Sequence, residues 1–95
     1  MTVLFAPEAE EDFAALVGYL AERNPAAAAD LGRRIFSVID KLAERLFDGP
    51  ETRLETGEVV QSWAVPPPVR IYYQRHDEVI WIVRIYHQAR PPITR

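Results

Sequence analysis

Apolar positions along this chain change their period part-way. In the first half the spacing is helical. Phe13, Leu16, Val17 and Leu20 recur at i, i+3, i+4 and i+7. That spacing predicts an amphipathic helix that starts at Ala6-Pro7-Glu8 and ends near Arg23. Proline fits a first helical turn, and Glu8, Glu10, Glu11 and Asp12 suit its positive end as a solvated acidic turn. Asn24-Pro25 restarts the chain, with Asn24 as N-cap and Pro25 at the first helical position. The second helix carries Leu31, Ile35, Val38, Ile39, Leu42 and Leu46 as a core stripe, and Asp48-Gly49-Pro50 stops it. So short a break predicts an antiparallel helical hairpin. Ahead of it, Thr2 to Phe5 reads as a first strand.

In the last third the period falls to two. Val59 to Val65, Val69 to Arg75 and Val79 to His87 are rich in β-branched and aromatic residues. Pro66-Pro67-Pro68 must be a connection, because proline donates no ladder hydrogen bond. His76-Asp77-Glu78 is a tight turn, and polar Glu51 to Glu58 a loop. Strict alternation puts Val79, Trp81, Val83, Ile85 and His87 on one face, with Ile80, Ile82, Arg84 and Tyr86 on the other. In the preceding strand, Val69, Ile71 and Tyr73 oppose Arg70, Tyr72 and Gln74. One sheet face can meet the helices. The other can carry Arg70, Tyr72, Arg84 and Tyr86 towards a partner. The expected fold is α+β: an N-terminal strand, then a two-helix antiparallel hairpin packed on a mostly antiparallel sheet whose last three strands form a meander.

At 95 residues, residues 1–95 make one domain with a modest core. There is no cysteine, which removes disulfides and thiolate metal sites and fits a reducing cytoplasm. No signal peptide and no membrane span are expected, nor any cofactor, metal ion or small-molecule substrate. The net charge of −3 hides an asymmetry. Residues 1–59 hold six basic and twelve acidic side chains; from residue 60 on there are five arginines against two acids. An acidic protein is not a general nucleic-acid binder. Trp63 and Trp81 are expected to pack within the fold.

Three stretches carry a resemblance: Ala6-Pro-Glu-Ala-Glu-Glu-Asp-Phe13, Pro68-Val-Arg-Ile-Tyr-Tyr73 and Val83-Arg-Ile-Tyr-His-Gln-Ala-Arg-Pro91. Together with the element order, they resemble the RelE/ParE superfamily of type II toxin–antitoxin toxins. The resemblance implies a cytoplasmic bacterial toxin neutralised by a cognate antitoxin, which would lie along the helical hairpin and a sheet edge. The superfamily holds two activities: ParE-like members inhibit DNA gyrase, and RelE-like members cleave mRNA on the ribosome. The His87-Gln-Ala-Arg-Pro91 ending and acidic helix start look more like ParE. Arg70, Tyr72, Arg84, Tyr86 and Arg90 are then the candidate target-binding residues.

The RelE-like alternative needs a base, a cation for the phosphorane charge and an acid for the leaving oxygen. Arg70 matches the cation and His87 the acid; Glu58 or Glu55 stands where a glutamate would act. The lysine-rich loop and late C-terminal tyrosine of other such nucleases are missing. The same residues also have a plainer reading. His87 would be a hydrogen-bonded strand end, and Arg70 and Arg84 would pair with acids or stack on Tyr72 and Tyr86.

Overall fold

The structure is a computed structural model that describes residues 1–66 and 69–87. In chain order it has β1 (Thr2–Phe5), α1 (Pro7–Arg23), α2 (Pro25–Ala43), β2 (Glu51–Arg53), β3 (Val59–Val65), β4 (Val69–His76) and β5 (Val79–His87). The five strands form one sheet in the order β1-β5-β4-β3-β2. β1 runs parallel to β5 and every other pairing is antiparallel. Both helices lie on one face. Leu31, Ile35, Ile39 and Leu42 of α2 and Ala9 of α1 pack there on Val69, Ile71, Tyr73, Ile80, Ile82 and Ile85. The expected α+β architecture and the closing meander are both present.

The break between the helices forms as the sequence predicts. Asn24 Oδ1 accepts the Ala27 N–H at 3.1 Å, and Pro25 fills a position whose N–H would have no helical partner. The end of α2 differs from expectation. The helix stops at Ala43, and Leu46 lies outside it, 64% exposed, rather than on the core stripe. Arg45 takes φ +60, its N–H donates to Leu42 O, and the Leu46 N–H donates to Lys41 O. This pair of bonds is a Schellman ending, and glycine adopts its left-handed residue with no Cβ penalty. Arg45→Gly is therefore expected to raise stability by about 0.5–1 kcal/mol, measured by urea denaturation.

Three more expectations need correction. Glu51 to Glu58 is not all loop, because Glu51–Arg53 pairs with Val59–Gln61 as an edge strand. The β4–β5 turn is one residue shorter than expected. His76 pairs with Val79, and Asp77 takes the positive φ that a two-residue hairpin loop needs. Alternation along β5 also breaks. Tyr72 faces Arg84 while its neighbour Tyr73 faces Ile82, so Val83 is an extra residue, a β-bulge. Ile80 and Ile82 face the helices, but so does Ile85, while Val83 and Tyr86 join a cluster on the opposite face.

Asp48 ties the end of α2 to the sheet. Its Oδ1 accepts from Gln61 Nε2 and Arg75 Nη1, both at 2.7 Å, and through a short bond from the buried Tyr73 hydroxyl. Arg75 Nη2 also donates to Leu42 O at 2.6 Å. Burial alone would raise the Asp48 pKa, but the Tyr73, Arg75 and Gln61 donors outweigh it and hold it at about 2. Burial, reinforced by Asp48, pushes Tyr73 up to about 12. The two titrations act on stability in opposite directions. The Asp48 contribution is full above its ordinary 3.8 and is lost as pH falls through about 2. The Tyr73 contribution is full below pH 10 and is lost as pH rises towards about 12. Thermal midpoints should therefore fall across that alkaline window, and the fall should flatten in Tyr73→Phe.

Candidate functional site

The sheet face away from the helices carries most of the predicted site residues. Cross-strand register arranges them in rows. Leu4, Trp81 and Gln74 form one row, a step in from the His76–Val79 pair that closes the β4–β5 turn. Arg84, Tyr72 and Ser62 come next, then Tyr86, Arg70 and Ala64. Between the rows, Val83 rises from the bulge, and Leu54 from the β2–β3 connection packs with it and Val60. Tyr72 and Tyr86 lean on this small second cluster and stay half-buried. Two aromatic rings therefore stand between the apolar patch and solvent. Arg70 lies directly opposite Tyr86, and its Nη1 donates to the hydroxyl of buried Ser62 at 3.0 Å. That bond holds the guanidinium over the β3 side of the face.

Arg84 is placed otherwise. Its Nε and Nη2 donate to the two oxygens of Asp12 at 2.6 and 2.9 Å, and the Ile85 N–H donates to the same carboxylate at 3.0 Å. β1 stops pairing after Ile82, so the upper edge of β5 has no strand beside it. Asp12 of α1 fills that gap. It is buried rather than part of a solvated acidic turn. The Asp12 hydrogen bonds, more than offsetting burial, raise the Arg84 pKa further. Arg84 also lies 5.6 Å from the Tyr86 ring centroid. Arg84 thereby locks α1 to β5 beneath the face. Asp12 was missed as a site-shaping residue because it looked like one of four helix-start acids. Only contact across 72 residues of sequence singles it out.

The residues named for RNA cleavage are not brought together. His87 pairs with Val69, a helix-side core residue, whereas Arg70 is on the opposite face. Glu58 Oε1 accepts from Gln74 Nε2 at 3.4 Å, near the β4–β5 turn. Four residue steps, about 13 Å along the strand, separate Glu58 from Ser62, where the Arg70 guanidinium rests. A base, cation and acid acting on one phosphate must all lie within hydrogen-bond reach of it. Glu55 lies in the exposed turn beyond β2. Arg90 lies outside the described residues. Among those described, no group of three or more His, Cys, Asp or Glu could hold a metal ion. None of their helices is long and apolar enough to cross a membrane.

The family model described as the ParE toxin of the type II toxin–antitoxin system, parDE, matches residues 3–92. The chain belongs to the ParE toxin family. It is a toxin of the type II toxin–antitoxin class, and the class implies a cognate antitoxin as partner. Two curated relatives from Caulobacter vibrioides are named for the sister branch. "Toxin RelE2" is 35% identical over 88 residues, covering 93% of this chain and 96% of the relative. "Toxin RelE1" is 30% identical over 89 residues, covering 90% and 91%. Among solved structures, "Chromosomal ParDE TA system from P. aeruginosa" superposes with a TM-score of 0.73 at 16% identity, over 92% of this chain and 95% of that one. ParE-family membership therefore accounts for the five-stranded sheet and its helical brace.

Proposed function

We propose that this ParE-family toxin inhibits DNA gyrase and is neutralised by its antitoxin in the bacterial cytoplasm. The supporting observation is the split of the nuclease candidates. Arg70 and His87 lie on opposite sheet faces and Glu58 lies at the far end of one of them. A protein-contact role needs no such convergence. It needs a solvent-facing patch of aromatic and arginine side chains, the residue types that dominate binding hot spots, and partly buried ones serve. Arg70, Tyr72 and Tyr86 form that patch, and Arg84 supports it from below through Asp12. Arg90, which lies outside the described residues, remains a proposed target-binding residue. The antitoxin takes a separate surface, the outer side of the helical hairpin, where Phe36 and Leu46 are exposed.

The test adds purified toxin to gyrase and relaxed plasmid. Supercoiling should fall, or cleaved DNA should accumulate. The double variant Arg70→Ala/Tyr72→Ala, with its fold confirmed by circular dichroism, should need about tenfold more protein or greater for the same effect. Unchanged supercoiling at excess wild-type toxin would remove the proposal. The names of the Caulobacter relatives favour a second reading, ribosome-dependent mRNA cleavage. In a translating extract that reading predicts codon-phased cuts that disappear in His87→Ala.

A further inference from the structure

Among the described residues, nothing covers the outer stripe of α2. Arg33, Phe36, Ser37, Asp40, Lys41 and Glu44 recur at helical spacing and are all exposed. With Leu46 they line a depression of about 630 Å³. Phe36 has Phe5 and Phe13 beside it, with ring centroids 6.1 and 5.2 Å away, yet is still 46% exposed. The two ends of the stripe are opposite in charge and in bulk. Towards the start of α2 lie Arg33 and the small, exposed Ala26 and Ala29. Towards its end lie Asp40, Glu44 and the bulky Leu46. Arg33 is only loosely held, 3.6 Å from Asp30 with its side chain 71% exposed.

We propose that α2 pairs antiparallel, along this stripe, with α2 of a second copy of the chain. With the two Phe36 rings side by side at the two-fold axis, residue 33 stands level with residue 39 of the other copy. Arg33 then reaches Asp40 and Glu44 of that copy, which are one turn apart. Lys41 falls within a turn of Asp30 of the other copy, and Leu46 stands over its Ala26 and Ala29. Each contact occurs twice, as a two-fold interface requires. A parallel arrangement would set Arg33 against Arg33. The stripe itself holds two bases and two acids, so it does not select a strongly charged partner. A copy turned end for end satisfies both signs. A contact along one 19-residue helix, about 28 Å long, is smaller than most stable interfaces, so the pairing is weak and reversible. The stripe belongs to the surface given above to the antitoxin. On that reading, self-pairing covers Phe36 and Leu46 when no antitoxin is bound, and the two occupants exclude one another.

The test is sedimentation velocity of the full-length toxin alone. Its mass should rise from one chain, 10.9 kDa, towards two, with half-pairing on the order of 0.1 mM. Arg33→Glu and Asp40→Arg/Glu44→Arg each set like charges against each other in a self-pair, so each should weaken pairing by about tenfold or more. Mixed one to one, the two variants should pair again, because each offers the charge that the other lacks. All three positions are exposed, so circular dichroism should match the wild type. A mass of one chain at every concentration would overturn the proposal, whether the stripe is kept for the antitoxin or covered by residues 88–95. So would pairing that survives both sets of substitutions, or a mixture that stays monomeric. Since every sample holds toxin alone, none of these failures touches the antitoxin reading.

Discussion

Asp12→Ala is expected to cost about 3–5 kcal/mol of stability, read as a large fall in the urea midpoint with little change in slope. The change removes three hydrogen bonds at once and leaves two groups stranded. One is the Arg84 guanidinium, whose side chain is only 15% exposed; the other is the buried Ile85 N–H. A mostly buried cation without its anion is the dominant cost, because little water reaches it to replace the carboxylate. A domain this size has only about 5–14 kcal/mol in total, so the variant sits close to unfolding. The double variant Asp12→Asn/Arg84→Met separates charge from hydrogen bonding. Asparagine still accepts from Ile85, and no charge is left buried, so this pair should lose clearly less than Asp12→Ala alone. A loss below about 1 kcal/mol for Asp12→Ala would mean that the pair does not hold in solution.

The same pair marks where sequence reasoning stopped short. The helices were legible because their apolar spacing and the Asn24-Pro25 cap are local signals. Strands β3, β4 and β5 were legible because aromatic and β-branched residues cluster between turn signals. Long-range facts left no such trace. Nothing local distinguishes Asp12 from Glu10 or Glu11, since the partner that buries it is on another element. The bulge at Val83 is equally silent. Once the bulge shifts the register, every face assignment beyond it inverts, so Tyr86 leaves the face that strict alternation gives it with Ile80 and Ile82. β2 was missed because Glu51-Thr52-Arg53 is wholly polar, as an edge strand can be when neither face is buried. Leu46 fits the helical stripe by spacing, but the left-handed turn at Arg45 carries it out of the helix. For the functional face the outcome was mixed. Arg70, Tyr72 and Tyr86 do share it, while Arg84 is directed into the fold and His87 lies on the other side.

Gly49→Ala should be comparably damaging, at about 3 kcal/mol or more, although it adds one methyl group. A Cβ at this position would lie 1.8 Å from Ser62 O and 2.7 Å from Ser62 C, both backbone atoms of β3 that no rotamer change can move aside. The 48–50 segment would have to lift from the sheet. That movement breaks the Ser62 N–H bond to Pro50 O at 3.1 Å and the Gly49 N–H bond to the Tyr73 hydroxyl at 2.7 Å. It also disturbs Asp48, on which Gln61, Tyr73 and Arg75 converge. Gly18→Ala is the matched control. Beyond its own turn of helix, no atom lies within 4 Å of the added Cβ there, and alanine in a helix interior should stabilise by about 1 kcal/mol. The contrast reaches function through Ser62, whose hydroxyl holds Arg70 over the open face. A displaced β3 would carry that hydroxyl with it. Under conditions where Gly49→Ala remains folded, growth arrest on induction should therefore weaken, while Gly18→Ala should keep full potency. Equal stability of the two variants would show that the chain does not pass this close to β3.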